Sequence, residues 1–382
     1  MLDRASVAIV GGGIVGASVA YHLAKRGAKD VVLVEKELLL GTHATAKSAG
    51  GIRQQFGSEV NCRLSLESVR QFERFSQEMD CTTEFLQYGY LWLATKPEEM
   101  AVFRRNVALQ QSLGIPVRLI TPKEALDIAP YVRIDDVVGG TFCPTDGYAS
   151  PADYLVGYEK QAKRLGVRIH TECPVRGLRV RDGRIEAVET AKGDVVTDTV
   201  VLAAGPYSTQ VAKTADVELP VEAFRRQIFV TQPFPDIREE MPMTIDFTSG
   251  VYMHKESRGI LMGLANKDEP PSFNESVDWA FLERVIELAM HRVPILEKAE
   301  ILRGWAGLYD TTPDHHPILG RAPGLPGLVL ACGFSGHGFM HAPAVGKVTA
   351  ELILEGRPSI DISPLSLARF REGKRIEESH VI

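Results

Sequence analysis

The sequence predicts a two-domain α/β protein that combines a parallel sheet flanked by helices with a second, mostly antiparallel sheet. The chain opens with an apolar run, Val7 to Val10, followed by a glycine-rich turn, a helical segment and a second apolar run, Val31 to Val34. A strand, a glycine loop and a helix recur between Leu328 and Leu354, and strand-like runs fill much of the region between. Alternation of strands and helices is typical of parallel sheets, whereas consecutive strands favour antiparallel ones.

The opening turn carries three glycines, Gly11, Gly13 and Gly16, at the spacing G-x-G-x-x-G. The first permits a tight turn, the second lets the backbone approach a pyrophosphate, and the third lets the helix pack closely on the strand. Glu35 ends the next strand about 20 residues later, where a carboxylate accepts hydrogen bonds from a ribose hydroxyl. The pattern predicts a Rossmann-like dinucleotide-binding unit; a plain βαβ unit with a glycine turn is the alternative.

Composition indicates a globular protein and excludes two kinds of partner. The 382 residues are 45% hydrophobic and 24% charged, with a net charge of −6, so two domains are expected. Nucleic acid is not expected as a partner, because there is no basic footprint for it or for an anionic membrane. The stretch from Val7 to Ala24 contains too many glycines and polar residues for a membrane span of about 20 apolar residues, so no integral membrane segment is expected.

The cysteines and the start of the chain predict a cytoplasmic location. No C-x-x-C pair occurs, which argues against a zinc cluster or a redox dithiol. An odd, scattered set of cysteines fits reduced thiols. The first strand starts within a few residues of Met1, which leaves no room for a signal peptide. The five cysteines are Cys62, Cys81, Cys143, Cys173 and Cys332.

Both predicted domains are discontinuous in the chain. The cofactor domain is predicted at residues 1–85, 145–215 and 315–382, and the substrate domain at residues 86–144 and 216–314. Helical spacing predicts a helix from Glu59 to Met79, and Val195 to Ala204 reads as one apolar strand. The small residues from Gly41 to Gly51 suit contact with a flat ring system, with a solvent loop as the alternative. The charged tail from Arg369 to Ile382 is expected on the surface.

Four separated motifs resemble the flavoproteins related to D-amino-acid oxidase, glycine oxidase and sarcosine oxidase. They are GGGIVG with Glu35, AAGPYS at Ala203 to Ser208, WAGLYDTTPDHHPILG at Trp305 to Gly320, and GFSGHGF at Gly333 to Phe339. The stretches GIRQQFGSE, PTDG and GFSGHGFMHAPAVG are most similar to the β subunit of dye-linked L-proline dehydrogenases, which itself resembles the β subunit of heteromeric sarcosine oxidase. The resemblance covers essentially the whole chain.

The resemblance implies FAD, with its adenosine end on Gly11 to Glu35 and a substrate sheet over the flavin. The last helix would point its positive end at the flavin. Heteromeric relatives also hold an FMN between subunits, so an additional FMN at a subunit interface is left open. The residues implied to bind FAD are Gly11, Gly13, Ile14, Val15, Gly16, Glu35, Lys36, Thr45, Ser48, Ala49, Gly50, Val175, Ala203, Ala204, Gly205, Gly307, Gly333, Gly336, His337, Gly338, Phe339 and Met340.

Departures from the family pattern imply non-covalent FAD and a dehydrogenase. Gly307 stands where monomeric sarcosine oxidase carries the cysteine that binds flavin covalently. Lys47 stands near the position of the attaching histidine of dimethylglycine dehydrogenases, and His43 is out of register. Leu261 aligns near the lysine that helps an oxidase activate oxygen, so electrons are expected to pass to a partner or dye.

The predicted catalytic residues are Arg53, Tyr252, Tyr309 and His337. By alignment Arg53 would pair with the substrate carboxylate, which a planar guanidinium suits; an ordinary ion pair is the alternative. Met340 replaces the second carboxylate ligand, so the two tyrosines are candidates to complete the grip, with packing in the sheet as the alternative. His337 is expected to act structurally rather than as a base. No metal is expected, because no third ligand is spaced to join His315 and His316 beside Asp314.

The resemblance implies oxidation of the C–N bond of a small amino acid or secondary amine, such as L-proline or sarcosine. Hydride would pass from Cα to flavin N5 and leave an imine. Two alternatives stay open: a glycine or D-amino-acid oxidase that uses O2, and a non-catalytic FAD-binding assembly factor. An α-type partner subunit or a separate electron acceptor is expected by the same resemblance.

Overall fold

The computed structural model describes residues 3–376, 378 and 380. The strands are β1 (Asp3–Arg4), β2 (Val7–Val10), β3 (Val31–Val34), β4 (Gly51–Ile52), β5 (Phe85–Leu86), β6 (Tyr90–Ala94), β7 (Arg118–Ile120), β8 (Gly139–Cys143), β9 (Gly147–Ala149), β10 (Arg168–His170), β11 (Val175–Arg181), β12 (Arg184–Thr190), β13 (Val195–Val196), β14 (Val200–Leu202), β15 (Glu222–Thr231), β16 (Met243–Asp246), β17 (Tyr252–Glu256), β18 (Gly259–Leu264), β19 (Ile301–Thr311), β20 (Ile318–Ala322) and β21 (Leu325–Cys332). The α-helices are α1 (Ile14–Lys25), α2 (Glu59–Met79), α3 (Pro97–Ser112), α4 (Pro122–Ile128), α5 (Pro151–Arg164), α6 (Ser208–Lys213), α7 (Trp279–Arg292), α8 (Gly338–Leu354) and α9 (Ala368–Arg371). Short 3-10 helices span Gly205–Tyr207, Pro294–Lys298 and Ser363–Leu365.

A six-stranded sheet in the order β10-β3-β2-β14-β21-β20 forms the centre of the predicted cofactor domain. Every neighbouring pair is parallel except β20 and β21. Its inner strands are buried apolar runs, as expected when helices cover the faces of a parallel sheet. Helices α1, α2, α5 and α8 pack against one another beside it. The carboxyl ends of β2, β3, β14 and β21 therefore lie at one edge.

An eight-stranded sheet in the order β19-β15-β18-β17-β16-β6-β8-β7 forms the second layer. It is antiparallel except where β16 runs parallel to β6. All its strands fall within the predicted substrate segments, while the strands of the parallel sheet fall within the cofactor segments. The predicted mixed fold class is confirmed, and the exact domain boundaries stay a prediction.

Two smaller sheets complete the fold. One has the order β1-β13-β12-β11. The other has the order β4-β9-β5, so that β9 pairs with both β4 and β5. The helix predicted from Glu59 to Met79 has those bounds. The single strand predicted from Val195 to Ala204 is wrong: it is split, because β13 pairs with β12 whereas β14 enters the parallel sheet.

The expectation that the whole charged tail lies on the surface is also wrong. Arg369 is only 3% exposed, and the His380 side chain is buried between aromatic rings. Ion pairing and stacking offset the cost of burying these polar groups. Positions 377, 379, 381 and 382 of that tail lie outside the described residues. No helix within the described part of the chain is long and apolar enough to cross a membrane.

Candidate active site

A cleft with a cavity volume of about 410 Å³ lies at the carboxyl edge of the parallel sheet and reaches the large sheet. Open α/β sheets bind ligands at this edge. Most predicted site residues line the cleft: Gly11, Gly13, Ile14, Val15, Glu35, Lys36, Thr45, Ser48, Ala49, Val175, Ala203, Ala204, Gly205, Tyr252, Gly307, Tyr309, Gly336, Gly338 and Phe339. Among the described residues, six predicted ones do not line it: Gly16, Gly50, Arg53, Gly333, His337 and Met340.

The glycine turn between β2 and α1 has no room for side chains at two positions. Gly11 has a φ of +105°, and a Cβ there would lie 2.4 Å from the Ala203 carbonyl oxygen. A Cβ on Gly16 would lie 2.0 Å from the Gly11 carbonyl oxygen. Gly16 therefore acts one layer behind the cleft by letting α1 approach the turn, which explains why it does not line the cavity itself.

The N-terminus of α1 lies at the cleft, which Gly13, Ile14 and Val15 line. Its cap residue, Gly13, provides no side-chain hydrogen bond, and the first turn holds no acidic residue. The Ile14 N–H donates to the Thr45 hydroxyl oxygen at 3.0 Å, which ties the small-residue loop to the helix. An anion would be stabilised at this helix end by the free N–H groups and the helix dipole. The arrangement fits the diphosphate of a dinucleotide.

The Glu35 carboxylate is fixed at the tip of β3. One oxygen accepts the Gly12 N–H at 2.7 Å and the other accepts the Glu37 N–H at 2.9 Å. Both bonds leave lone pairs free for further donors. The carboxylate lines the cleft beside Val175 and Lys36. It is therefore placed where a ribose hydroxyl could donate to it.

The second glycine loop, Gly333 to Gly338, closes the other end of the cleft. Gly333 donates its N–H to an Asp310 carboxylate oxygen at 2.7 Å, and burial raises the pKa of Asp310 to about 6. A Cβ on Gly336 would lie 2.3 Å from the Tyr309 ring, so the loop packs directly on that tyrosine. The loop leads into α8, whose first turn also lacks acidic residues.

Arg53 lies outside the cleft and all its observed contacts are internal. Its guanidinium donates to the Gln55 carbonyl oxygen and, at 2.7 Å, to the His380 carbonyl oxygen. It also lies 3.1 Å from the His337 ring nitrogen Nε2 and stacks on Phe56 at 4.0 Å. Burial lowers the pKa of Arg53. The guanidinium contacts protein groups only, and its role as a substrate ligand stays a prediction.

His337 caps α8 behind the glycine loop. Burial, followed by the nearby Arg53 cation, holds the pKa of His337 well below its usual range. The neutral ring accepts a hydrogen bond from Arg53 at Nε2, while Nδ1 has no partner among the described residues. The predicted structural role agrees with this position, but its assignment stays a prediction.

The sequence prediction did not single out Arg226, which lines the cleft beside Tyr252 and Tyr309. Its guanidinium lies 5.4 Å from the centre of the Tyr309 ring. Burial raises the pKa of both tyrosine hydroxyls, which are therefore neutral. Arg226 belongs to a strand whose sequence, FRRQIF, gives no sign of which arginine faces inward. Only the pairing of β15 with β19, which sets Arg226 opposite Gly307, reveals it.

Of the positions that depart from the family pattern, Gly307 and Lys47 line the cleft and Leu261 does not. A Cβ on Gly307 would lie 2.9 Å from the Lys47 Cβ, and Trp305 donates its indole N–H to the Lys47 carbonyl oxygen. Leu261 is buried in β18, in an apolar cluster with Tyr252. Neither Gly307 nor Leu261 supplies a nucleophile or a cation.

The Asp314 and His316 side chains bind protein groups. Asp314 forms a bidentate ion pair with Arg369 at 2.8 and 2.9 Å. His316 contacts the Asp314 carbonyl oxygen through Nδ1 and the Ser58 hydroxyl through Nε2. This cluster stabilises the loop after β19.

The family model that describes FAD dependent oxidoreductases (DAO) matches residues 6–352. The fold is similar to that of L-proline dehydrogenase from P. horikoshii, with 35% identity and a TM-score of 0.92 over 98% of this chain and 99% of that one. Dimethylglycine dehydrogenase of Rattus norvegicus is 31% identical over 96% of this chain and 45% of its own length. Sarcosine dehydrogenase of Mus musculus is 32% identical over 96% of this chain and 42% of its own length. This chain thus spans less than half of these two curated relatives.

Proposed function

Because this chain belongs to the family of FAD dependent oxidoreductases, we propose that it binds FAD and oxidises a small amino acid or secondary amine of the L-proline or sarcosine type. The observation that carries the proposal is the cleft itself. It joins the glycine turn and Glu35 at one end to Tyr252, Tyr309 and the second glycine loop at the other.

The residues present fit FAD. The α1 N-terminus would hold the diphosphate, and Glu35 would accept the ribose hydroxyls. Gly307 and the loop around Gly336 would border the flavin. When bound, the flavin would accept the hydride from the amine Cα and leave an imine. This chain's own residues would bind and orient the amine and exclude water, which is how a protein supports cofactor chemistry.

Non-covalent binding is proposed because Gly307 has no side chain to form a bond and Lys47 lies against it. Denaturation should release yellow FAD into the supernatant, and yellow colour retained in the protein pellet would contradict this. None of the named relatives supports the additional FMN, so it stays outside the proposal.

A dehydrogenase is proposed rather than a fast oxidase. The Leu261 side chain is apolar and buried and offers no cation to stabilise superoxide. Electrons would then pass to a partner subunit or another acceptor. Dye reduction should exceed peroxide formation under the same conditions, and equal rates would contradict the assignment.

The decisive experiment is a panel of amino acids tested anaerobically against the purified, FAD-loaded protein. L-proline, sarcosine, N,N-dimethylglycine, glycine and D-alanine are each added, and bleaching of the flavin absorbance is followed. We expect rapid bleaching by one of the first three. Gly11→Val, which drives a side chain into Ala203, is the FAD-free control. A wild-type flavin that stays oxidised with every compound would favour the non-catalytic alternative, and bleaching only by glycine or D-alanine would favour the oxidase alternative.

The catalytic roles of Tyr252 and Tyr309 and the domain boundaries remain proposals. An α-type partner subunit is proposed only from the resemblance, and co-purification from the source cell tests it. The cytoplasmic location likewise stays a prediction.

A further inference from the structure

We infer that Arg226, rather than Arg53, binds the carboxylate of the substrate. The inference rests on the proposed function, since it names the residue that would recognise the acid group of an amino-acid substrate. It concerns a cation that lines the cleft and has no acidic partner.

The Arg53 guanidinium already has hydrogen-bond acceptors within the protein. It is 3% exposed, and three protein acceptors, belonging to Gln55, His337 and His380, take its hydrogen bonds. The Phe56 ring covers its face at 4.0 Å. A carboxylate would have to displace these contacts and would reach no cavity, because Arg53 does not line the cleft.

The Arg226 guanidinium, by contrast, has hydrogen-bond donors without protein acceptors among the described residues. Its Nη1 donates to the Arg225 carbonyl oxygen at 2.9 Å, while its buried Nε has no partner in the described part of the chain. None of the described carboxylates lies within ion-pair distance of the Arg226 guanidinium. The neighbouring Arg225 shows the contrast, since it pairs with Glu269 at 2.9 Å. A mostly buried cation without a counter-charge is costly, and an incoming carboxylate would offset that cost.

Arg226 also lies where a substrate would bind. Arg226 stands opposite Gly307 in the β15–β19 pairing, at the point where the flavin is proposed to lie. Tyr252 and Tyr309 line the cleft beside it. The guanidinium presents a planar fork that binds both oxygens of a carboxylate. A carboxylate held by Arg226 would lie in the cleft, whereas one held by Arg53 would lie outside it.

The inference predicts that carboxylates bind and that Arg226 decides their affinity. The probe is tetrahydrofuran-2-carboxylate, a ring acid without an oxidisable amine, titrated into the FAD-loaded protein while the visible flavin spectrum is recorded. We expect a saturable spectral change for the wild type. Arg226→Met should raise Kd by about 10- to 100-fold, as expected for loss of charged hydrogen bonds, and Arg226→Lys should raise it less.

Two matched variants complete the test. Arg53→Met and Arg303→Met each remove one arginine, the first buried outside the cleft and the second exposed on β19. Both should leave Kd within about threefold of wild type. Flavin content is measured first, and if Arg226→Met loses flavin, Arg226→Lys and Arg226→Gln carry the comparison.

The outcomes separate the inference from the proposed function. If Arg53→Met raises Kd and Arg226 variants do not, the inference is overturned while carboxylate binding stands. If the wild-type flavin responds to no carboxylate and no amino acid, both are overturned. For substrates that reduce the flavin, loss of Arg226 should raise KM more than it lowers kcat.

Discussion

Replacing Arg369 with methionine should destabilise the protein strongly although the residue lies in a charged tail. The Arg369 and Asp314 side chains are each 3% exposed and form a bidentate ion pair. Arg369 also donates to the carbonyl oxygens of His316 and Leu365. Removing the cation leaves the Asp314 carboxylate buried with only weak donors at 3.3 Å. Breaking a buried pair in this way costs about 3–5 kcal/mol.

For a chain of this size the cost corresponds to a fall in Tm of roughly 4 to 6 °C. The assay is differential scanning calorimetry of the FAD-loaded protein, with circular dichroism as a second probe. Arg371→Met is the matched control, because Arg371 lies in the same short helix but is exposed; it should shift Tm by less than about 1 °C. Asp314→Asn combined with Arg369→Met should cost less than the sum of the two single changes. The reasoning is refuted if Arg369→Met melts within 1 °C of wild type.

Three further predictions concern the cleft and its surroundings. Burial raises the pKa of Asp310 and Asp146 to about 6. The unfolded chain therefore loses these protons at lower pH than the folded one, and the free energy of unfolding should fall as pH rises from about 4 to 6. Urea titrations at several pH values should show a shallower fall for Asp310→Asn, and the same pH dependence as wild type would contradict this prediction. Gly16→Ala should lower the FAD content and reduce the free energy of unfolding by about 1–3 kcal/mol, because the new methyl group would lie 2.0 Å from a backbone oxygen. Normal FAD content with a normal melting curve would contradict the close packing. Glu275→Gln should speed FAD release on dilution, followed by the rise in flavin fluorescence, because the Glu275 carboxylate pairs at 2.9 Å with Lys47, which lines the cleft; an unchanged release rate would show that this contact does not restrain the loop.

Local patterns in the sequence were sufficient to predict the glycine turn, the position of Glu35 at the end of β3, and helix α2. Each depends on spacing within a short segment, so neighbouring residues determine the outcome. The two-residue strands β4 and β5 and the short strands β7 and β16 were not foreseen, because such segments gain their stability from partners elsewhere in the chain.

Long-range pairing explains what sequence could not show at the candidate site. A charged tail is ordinarily expected on the surface. Arg369, however, pairs with Asp314, which lies 55 residues earlier, and the His380 carbonyl oxygen accepts a hydrogen bond from Arg53, 327 residues earlier. Adjacent arginines in β15 look alike in the sequence. Only strand pairing places Arg226 in the cleft and turns Arg225 towards Glu269.

The order of strands in the parallel sheet has a consequence for how the protein is made. Strand β2 reaches its neighbour β14 about 190 residues later in synthesis, and β14 then awaits β21. Contacts between residues so far apart in sequence form slowly, because the entropy of closing the loop is lost before the contacts stabilise the structure. The cleft at this edge therefore matures late, and nascent chains expose apolar strand surface until it does. Flavin supplied during expression should raise the yield of native protein by trapping the finished sheet rather than by hastening its assembly.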